Sequence, residues 1–207
     1  MTPLVDIYLS QAYRYLEDEN YDGALEYFAK AIEIGSTDYS GLAKAYYYRG
    51  MEGFKWSDRN KAISDYTEAI KYDPTNAEYY YARGDVYYEW ADYYNSGGLV
   101  LEETGSFNKA IADYTKAIQL GMKTAGAFLK RGNCYAGIKN YASAIADYNK
   151  VIGLGGDLLD FGYFNRGSAY EETGNKNKAL ADYRMVLELT TNSFLKEQSL
   201  EYIKRLQ

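Results

Sequence analysis

Between Phe128 and Ile152 the apolar positions recur at helical spacing, not at the alternation of a strand. A first segment carries Phe128, Gly132 and Tyr135 on one face, at i, i+4 and i+7. Gly137-Ile138-Lys139-Asn140 then interrupts the pattern. A second segment resumes it with Tyr141, Ala144, Ile145, Tyr148, Val151 and Ile152. The pattern predicts two amphipathic helices joined by a tight turn. Glycine and alanine at fixed points let the helices approach closely, and tyrosine and phenylalanine fill the space beside them.

The same pattern returns along the chain with an Arg-Gly pair in the first segment and Ala-apolar-x-Asp-Tyr in the second. It reads Arg49-Gly50 with Ala62 to Tyr66, Arg83-Gly84 with Ala110 to Tyr114, Arg131-Gly132 with Ala144 to Tyr148, and Arg166-Gly167 with Ala179 to Tyr183. A diverged first copy has Ala12 in the glycine position and Ala24-Leu25-Glu26-Tyr27-Phe28 in the second segment. Glycine (or Ala12) to alanine is 12 residues in every copy except the third, where it is 26, an insertion of 14. Successive alanines lie 34 and 35 residues apart at Ala110, Ala144 and Ala179, and 38 apart at Ala24 and Ala62, so the first connection holds four extra residues. Arginine and aspartate also vary together. The first copy lacks both, having Gln11 and Tyr27 instead. This co-occurrence predicts that Arg49, Arg83, Arg131 and Arg166 pair with the aspartates.

The pattern resembles the tetratricopeptide repeat, a helix-turn-helix unit of about 34 residues. The matching positions are an early aromatic (Tyr8, Tyr46, Tyr80, Phe128, Tyr163), the small residue, a later tyrosine (Tyr15, Tyr87, Tyr135, Tyr170), and the second-segment alanine and aromatic. Gly53 departs from it where the second copy should carry the later tyrosine, and the family's closing proline survives only at Pro74. The resemblance implies an all-α, right-handed superhelical solenoid. Five units are expected over residues 5–38, 43–76, 77–124, 125–158 and 160–193. A capping helix over 194–207, with Leu195, Leu200, Ile203 and Leu206, would close a single domain.

Composition narrows the function. The 207 residues carry 23 Lys and Arg against 29 Asp and Glu, a net charge of -6, which disfavours nucleic-acid binding. There is no histidine, so histidine-based catalysis and metal ligation are excluded, and one cysteine, Cys134, makes no internal disulfide. No phosphate-binding loop occurs, and Gly153-Leu154-Gly155-Gly156-Asp157 reads as a helix-ending turn. Neighbouring carboxylates such as Glu102-Glu103 and Glu171-Glu172 do not face one another on a helix. No catalytic residue and no cofactor are expected. No apolar run reaches the ~20 residues of a membrane helix, and Met1 to Asp6 has no secretory pattern, so a cytoplasmic location is the expectation.

The resemblance also implies a concave groove lined by first helices, where a partner's peptide or helix docks. The outward positions of those helices are Tyr13 in the first unit, and Lys44, Tyr47, Tyr48, Met51 and Phe54 in the second. They continue with Tyr81, Asp85, Tyr88 and Glu89 in the third, Leu129 and Asn133 in the fourth, and Phe161, Phe164 and Glu171 in the fifth. This lining is aromatic and acidic, which suits apolar anchors flanked by basic residues. Family members that grip a C-terminal carboxylate use lysine and asparagine at two of these points. Only Asn133 matches, so that ligand is disfavoured. Fourteen of the 26 tyrosines fall on the repeat's own packing positions, whereas Tyr13, Tyr47, Tyr48, Tyr81 and Tyr88 fall on the groove.

The insertion leaves Trp90, Tyr93, Tyr94 and Leu99 without a packing position in a regular unit, which suggests a second contact surface, for a partner or for self-association. Its length is close to four helical turns. It fits either two helices each prolonged by two turns and meeting at Ser96-Gly97-Gly98, or a loop starting at Gly97-Gly98. The leading functional expectation is a non-catalytic protein-interaction scaffold. The alternatives are a small-ligand or carbohydrate-binding protein, catalytic or not, using the aromatic groove, and a self-assembling structural protein.

Overall fold

The computed structural model describes residues 3–55, 58–97 and 100–207, with backbone alone at 3, 92–97 and 100–103. Among the described residues there are eleven helices and no strand: α1 (Pro3–Glu17), α2 (Tyr21–Glu33), α3 (Tyr39–Lys55), α4 (Arg59–Tyr72), α5 (Ala77–Gly97), α6 (Val100–Gln119), α7 (Ala125–Gly137), α8 (Tyr141–Leu154), α9 (Leu159–Glu172), α10 (Lys176–Leu189) and α11 (Ser193–Leu206). They form five helix pairs and a terminal helix. By compactness the chain divides into two units, Met1–Val86 and Tyr87–Gln207, and the division falls within α5.

Three of the turns between paired helices, α1 to α2, α7 to α8 and α9 to α10, are built the same way. A residue in the left-handed region reverses the chain: Glu19 (φ 56°), Lys139 (φ 60°) or Gly174 (φ 75°). The next residue starts the second helix. Asn20 and Asn140 accept the backbone N–H of Gly23 and Ser143 at 3.0 and 3.2 Å, satisfying a helix donor that would otherwise lack a partner. Asp58 caps α4 likewise, from Lys61 N–H at 3.1 Å. The four extra residues of the first connection enter α3 itself. Asp38 accepts Gly41 N–H at 3.0 Å and starts that helix at Tyr39, so α3 reaches 17 residues.

The Arg-Gly and Asp-Tyr phrases meet across the hairpins α3–α4, α7–α8 and α9–α10. A Cβ on Gly50, Gly132 or Gly167 would lie 2.8, 2.7 or 3.0 Å from the ring of Tyr66, Tyr148 or Tyr183, so only glycine lets that tyrosine pack flat on the first helix. All three rings are buried. In the first hairpin Phe28 plays this part, and its ring occupies the space that a Cβ on Gly41 of the following helix would need.

The arginine joins the two helices of its own hairpin. Arg131 donates from Nε and Nη2 to Asp147, both at 2.7 Å, and Arg166 donates to Asp182 at 2.8 and 2.7 Å. Arg49 donates to Asp65 at 2.9 and 2.7 Å. The aspartates are buried and their paired charges are satisfied by a planar two-point contact. In each of these arginines Nη1 reaches the preceding hairpin, Arg131 to Thr115 at 3.1 Å, Arg166 to Asn149 at 2.5 Å and Arg49 to Asp22 at 2.6 Å, and Arg83 Nη1 likewise donates to Thr67 at 3.0 Å. Aromatic rings flank the cation, as Phe128 and Tyr135 do for Arg131 at 5.8 and 5.9 Å.

The insertion is distributed over two long helices. α5 has 21 residues and α6 has 20, against 13 or 14 in each helix from α7 to α10. Gly155 and Gly156 take positive φ (67° and 80°) at the end of α8, as a helix-ending turn requires.

Candidate functional site

In the N-terminal unit, two clefts with largely apolar linings flank α3, apart from a polar one around Arg49 and Glu52. The first, about 430 Å³, is lined by Tyr13, Leu16, Glu17, Glu19 and Tyr21 with Lys44 and Tyr48 of α3. Tyr13 is held from two sides. Its ring meets Phe28 edge-on at 5.1 Å, and its hydroxyl donates to Asp38 at 2.6 Å. Burial, reinforced by that carboxylate, pushes its pKa up to about 12. Tyr48 stacks on Tyr21 at 5.9 Å with 21° between planes.

The second cleft, about 300 Å³, lies between α3 and the start of α5. Tyr47, Met51, Phe54 and Lys55 face Tyr81, Ala82 and Asp85, and the ring of Tyr66 lies behind them. Tyr47 touches three other rings, Tyr48 at 5.4 Å, Tyr66 at 5.7 Å and Tyr79 at 5.1 Å, so it is half-buried packing as well as lining. Burial raises its pKa, and the carboxylates of Glu78 and Asp85 add to the rise. Met51 remains 45% exposed in the mouth of the cleft. The charge is uneven. Residues 1–86 hold 15 Asp and Glu against nine Lys and Arg, whereas residues 87–207 hold 14 of each, so the whole net charge of -6 belongs to the N-terminal unit.

The corresponding surface of the C-terminal unit is polar or covered. Asn133 accepts from the Tyr148 hydroxyl at 3.0 Å and from Asn165 Nδ2 at 2.8 Å, and its own Nδ2 donates to the Tyr88 hydroxyl at 3.4 Å. Asn133, Tyr148 and Asn165, with Ala136, Tyr141, Ser168 and Ala169, line a cleft of about 270 Å³. Asn165 is a lining residue that the groove positions read from sequence omit. It stands directly before Arg166, as Tyr48 stands before Arg49, and that equivalence is the signal that finds it.

Leu129 packs half-buried against the Ala144, Tyr148 and Ala169 cluster. Phe161 is half-buried, and Glu89 is exposed. Phe164 is covered by the chain itself: Tyr202 of α11 stacks on it at 5.8 Å and 25°, and both rings meet Tyr183. Glu171 accepts from Arg205 of α11 and from the Tyr183 hydroxyl at 3.1 Å. Of the insertion residues, Trp90 is half-buried. The side chains of Tyr93 and Tyr94, and all of Leu99, lie outside the described residues.

Among the described residues no group of three or more acidic or cysteine side chains is placed to hold a metal ion. Among them, too, no helix is long and apolar enough to cross a membrane.

Comparison with known proteins agrees with this geometry. A family profile for the TPR repeat matches residues 58–89, and two for the tetratricopeptide repeat match 96–157 and 162–193, together more than half of the chain. No curated protein sequence matches significantly. Among solved structures, YrrB, described as a TPR protein with an unusual peptide-binding site, is similar with a TM-score of 0.68 at 20% identity over 94% of this chain and 90% of that one. MamA gives 0.62 at 22% identity over 98% and 97%. A tetratricopeptide repeat protein from Parabacteroides merdae gives 0.65 at 16% identity over 98% of this chain and 72% of that one.

Proposed function

We propose that this chain, which belongs to the tetratricopeptide repeat family, is a non-catalytic scaffold that binds a segment of a partner protein on the surface formed by its first helices. The observation that carries the reading is the pair of open clefts beside α3. Each has the volume of one or two large side chains, and their aromatic and methionine lining suits apolar anchors. The acidic N-terminal unit favours a partner segment with lysine or arginine near those anchors. YrrB, which shares the fold, is described as peptide-binding, and this supports a peptide as the occupant.

Photo-crosslinking tests the proposal in the host cell. Benzoylphenylalanine replaces Met51 at the cleft, or the exposed Ser64 of α4 as control. Partner adducts are expected from position 51 and not from 64. Equal adducts from both, or none from position 51 with the protein folded, would remove the basis for docking at this surface.

A further inference from the structure

Two ring pairs in this molecule have the same construction. Tyr47 and Tyr66 are 19 residues apart, on the first and second helices of one hairpin, with ring centres 5.7 Å apart and 41° between planes. Phe164 and Tyr183 are also 19 residues apart, on the two helices of another, at 5.8 Å and 59°. What covers them differs. Over Phe164 and Tyr183 the next helix supplies a third ring, Tyr202, at 5.8 and 5.2 Å. Beside Tyr47 and Tyr66 the next helix supplies one ring, Tyr79, which meets Tyr47 at 5.1 Å and is not part of the cleft lining. Tyr81 and the single methyl group of Ala82 follow, and the cleft of about 300 Å³ stands open there.

We infer that the cleft over Tyr47 and Tyr66 receives an aromatic side chain from a basic peptide segment of the partner, as Tyr202 seats on Phe164 and Tyr183 within the chain. The inference rests on the docking reading above and specifies its ligand. Three facts converge on it. The platform is the one that already holds a ring elsewhere in the same protein. The chain's own occupant carries a base one helical turn after its ring: Arg205 follows Tyr202 by three residues and pairs with Glu171. The open cleft sits in the unit that bears all of the net negative charge, with Asp85 in its lining and Glu78 and Asp85 acting on the Tyr47 hydroxyl. Lys55 also lines the cleft and disfavours a second base on its side. The recognised segment is therefore an aromatic residue with lysine or arginine three or four positions away.

A phage-displayed random peptide library panned on the whole chain, with an unrelated protein as control, supplies the ligands. The enriched sequences are then synthesised with a fluorophore and titrated by anisotropy. Enrichment of aromatic residues spaced from lysine or arginine is expected. Ala82→Tyr should fill the cleft as Tyr202 fills its counterpart and weaken binding about tenfold or more. Met51→Arg, a change at an exposed position, should do the same by repelling the basic ligand, and it carries the test if Ala82→Tyr does not fold. Ser64→Arg should leave affinity unchanged. Absence of any enrichment over the control protein would end the docking reading and this inference together. Peptides that bind wild type, Ala82→Tyr and Met51→Arg alike would leave docking standing and overturn the assignment to this cleft. Enriched sequences lacking aromatic residues, or acidic ones, would overturn the ligand chemistry.

Discussion

The N-terminal and C-terminal units present the same helical hairpin with different finishes. Around α3 the first-helix surface is aromatic, open and negatively charged. From α7 onward it carries an asparagine network and then a ring supplied by α11. The backbone plan is common to both. The difference comes from single side chains at the seam between consecutive first helices: Tyr48 and Ala82 in one unit, Asn165 and Tyr202 in the other. The repeat therefore fixes where a cleft can exist, and the seam residue decides whether it is apolar, polar or filled.

The largest effects should come from removing the shared platform. Tyr66→Ala and Tyr183→Ala each delete a buried ring and should cost about 3–5 kcal/mol in denaturant unfolding. The loss should be greater at Tyr183, which also donates to Glu171 and supports Tyr202. Equal losses would mean that the third ring adds nothing.

The arginine clasp should separate the units next. Asp147→Ala strands Arg131, whose side chain is only 16% exposed, and should cost about 3 kcal/mol. Asp65→Ala should cost less, because Arg49 keeps Asp22 at 2.6 Å. A double-mutant cycle of Arg131→Ala with Asp147→Ala should be strongly non-additive, and simple additivity would show that the contact carries no coupling.

A smaller effect is expected from Tyr202→Ala, about 1–2 kcal/mol for a half-buried ring with its stacking. This variant should also uncover a second aromatic site, detectable as a higher peptide stoichiometry than wild type shows.

The mildest probe is alkaline pH. The pKa of Tyr13 is raised from 10.0 to about 12, mainly by burial, and burial likewise leads the rise to about 12 at Tyr79. The unfolded chain ionises first as pH passes 10, so it loses protons that the folded chain retains. The stability from these groups is fully present below pH 10 and is lost as pH rises to about 12. Tyrosinate absorbance should show a delayed class of tyrosines, and Tyr13→Phe should reduce its amplitude. A single unshifted titration would contradict the burial of Tyr79 and the Tyr13–Asp38 contact.

Much of the fold is legible in the sequence because one physical constraint repeats. In the copies of Arg49, Arg131 and Arg166, where Arg-Gly precedes Ala-apolar-x-Asp-Tyr at the 12-residue spacing, the glycine admits the tyrosine ring and the arginine finds the aspartate. The acceptor on the preceding hairpin is written there too, as Thr67, Thr115 and Asn149 directly after the tyrosine. The last copy has Arg184 at that place, with no further Arg-Gly behind it. The candidate site is legible only in part. Tyr13, Tyr47, Tyr48, Met51, Phe54, Tyr81 and Asp85 all line the clefts beside α3. Phe164 and Glu171 follow the same positional logic, but their cover comes from α11, whose alignment with the stack is not encoded by any repeat spacing. The tyrosine-to-tyrosine contacts of Tyr47 were equally out of reach, because they depend on ring orientation and not on position along a helix.

The doubly anchored arginines also bear on how the molecule comes apart. Arg131 and Arg166 each hold acceptors on two successive hairpins, so fraying of one hairpin strips the next of part of its hydrogen bonding. Loosening should then spread from neighbour to neighbour. The C-terminal unit should lose its slow-exchanging amides in one cooperative step instead of shedding hairpins in sequence.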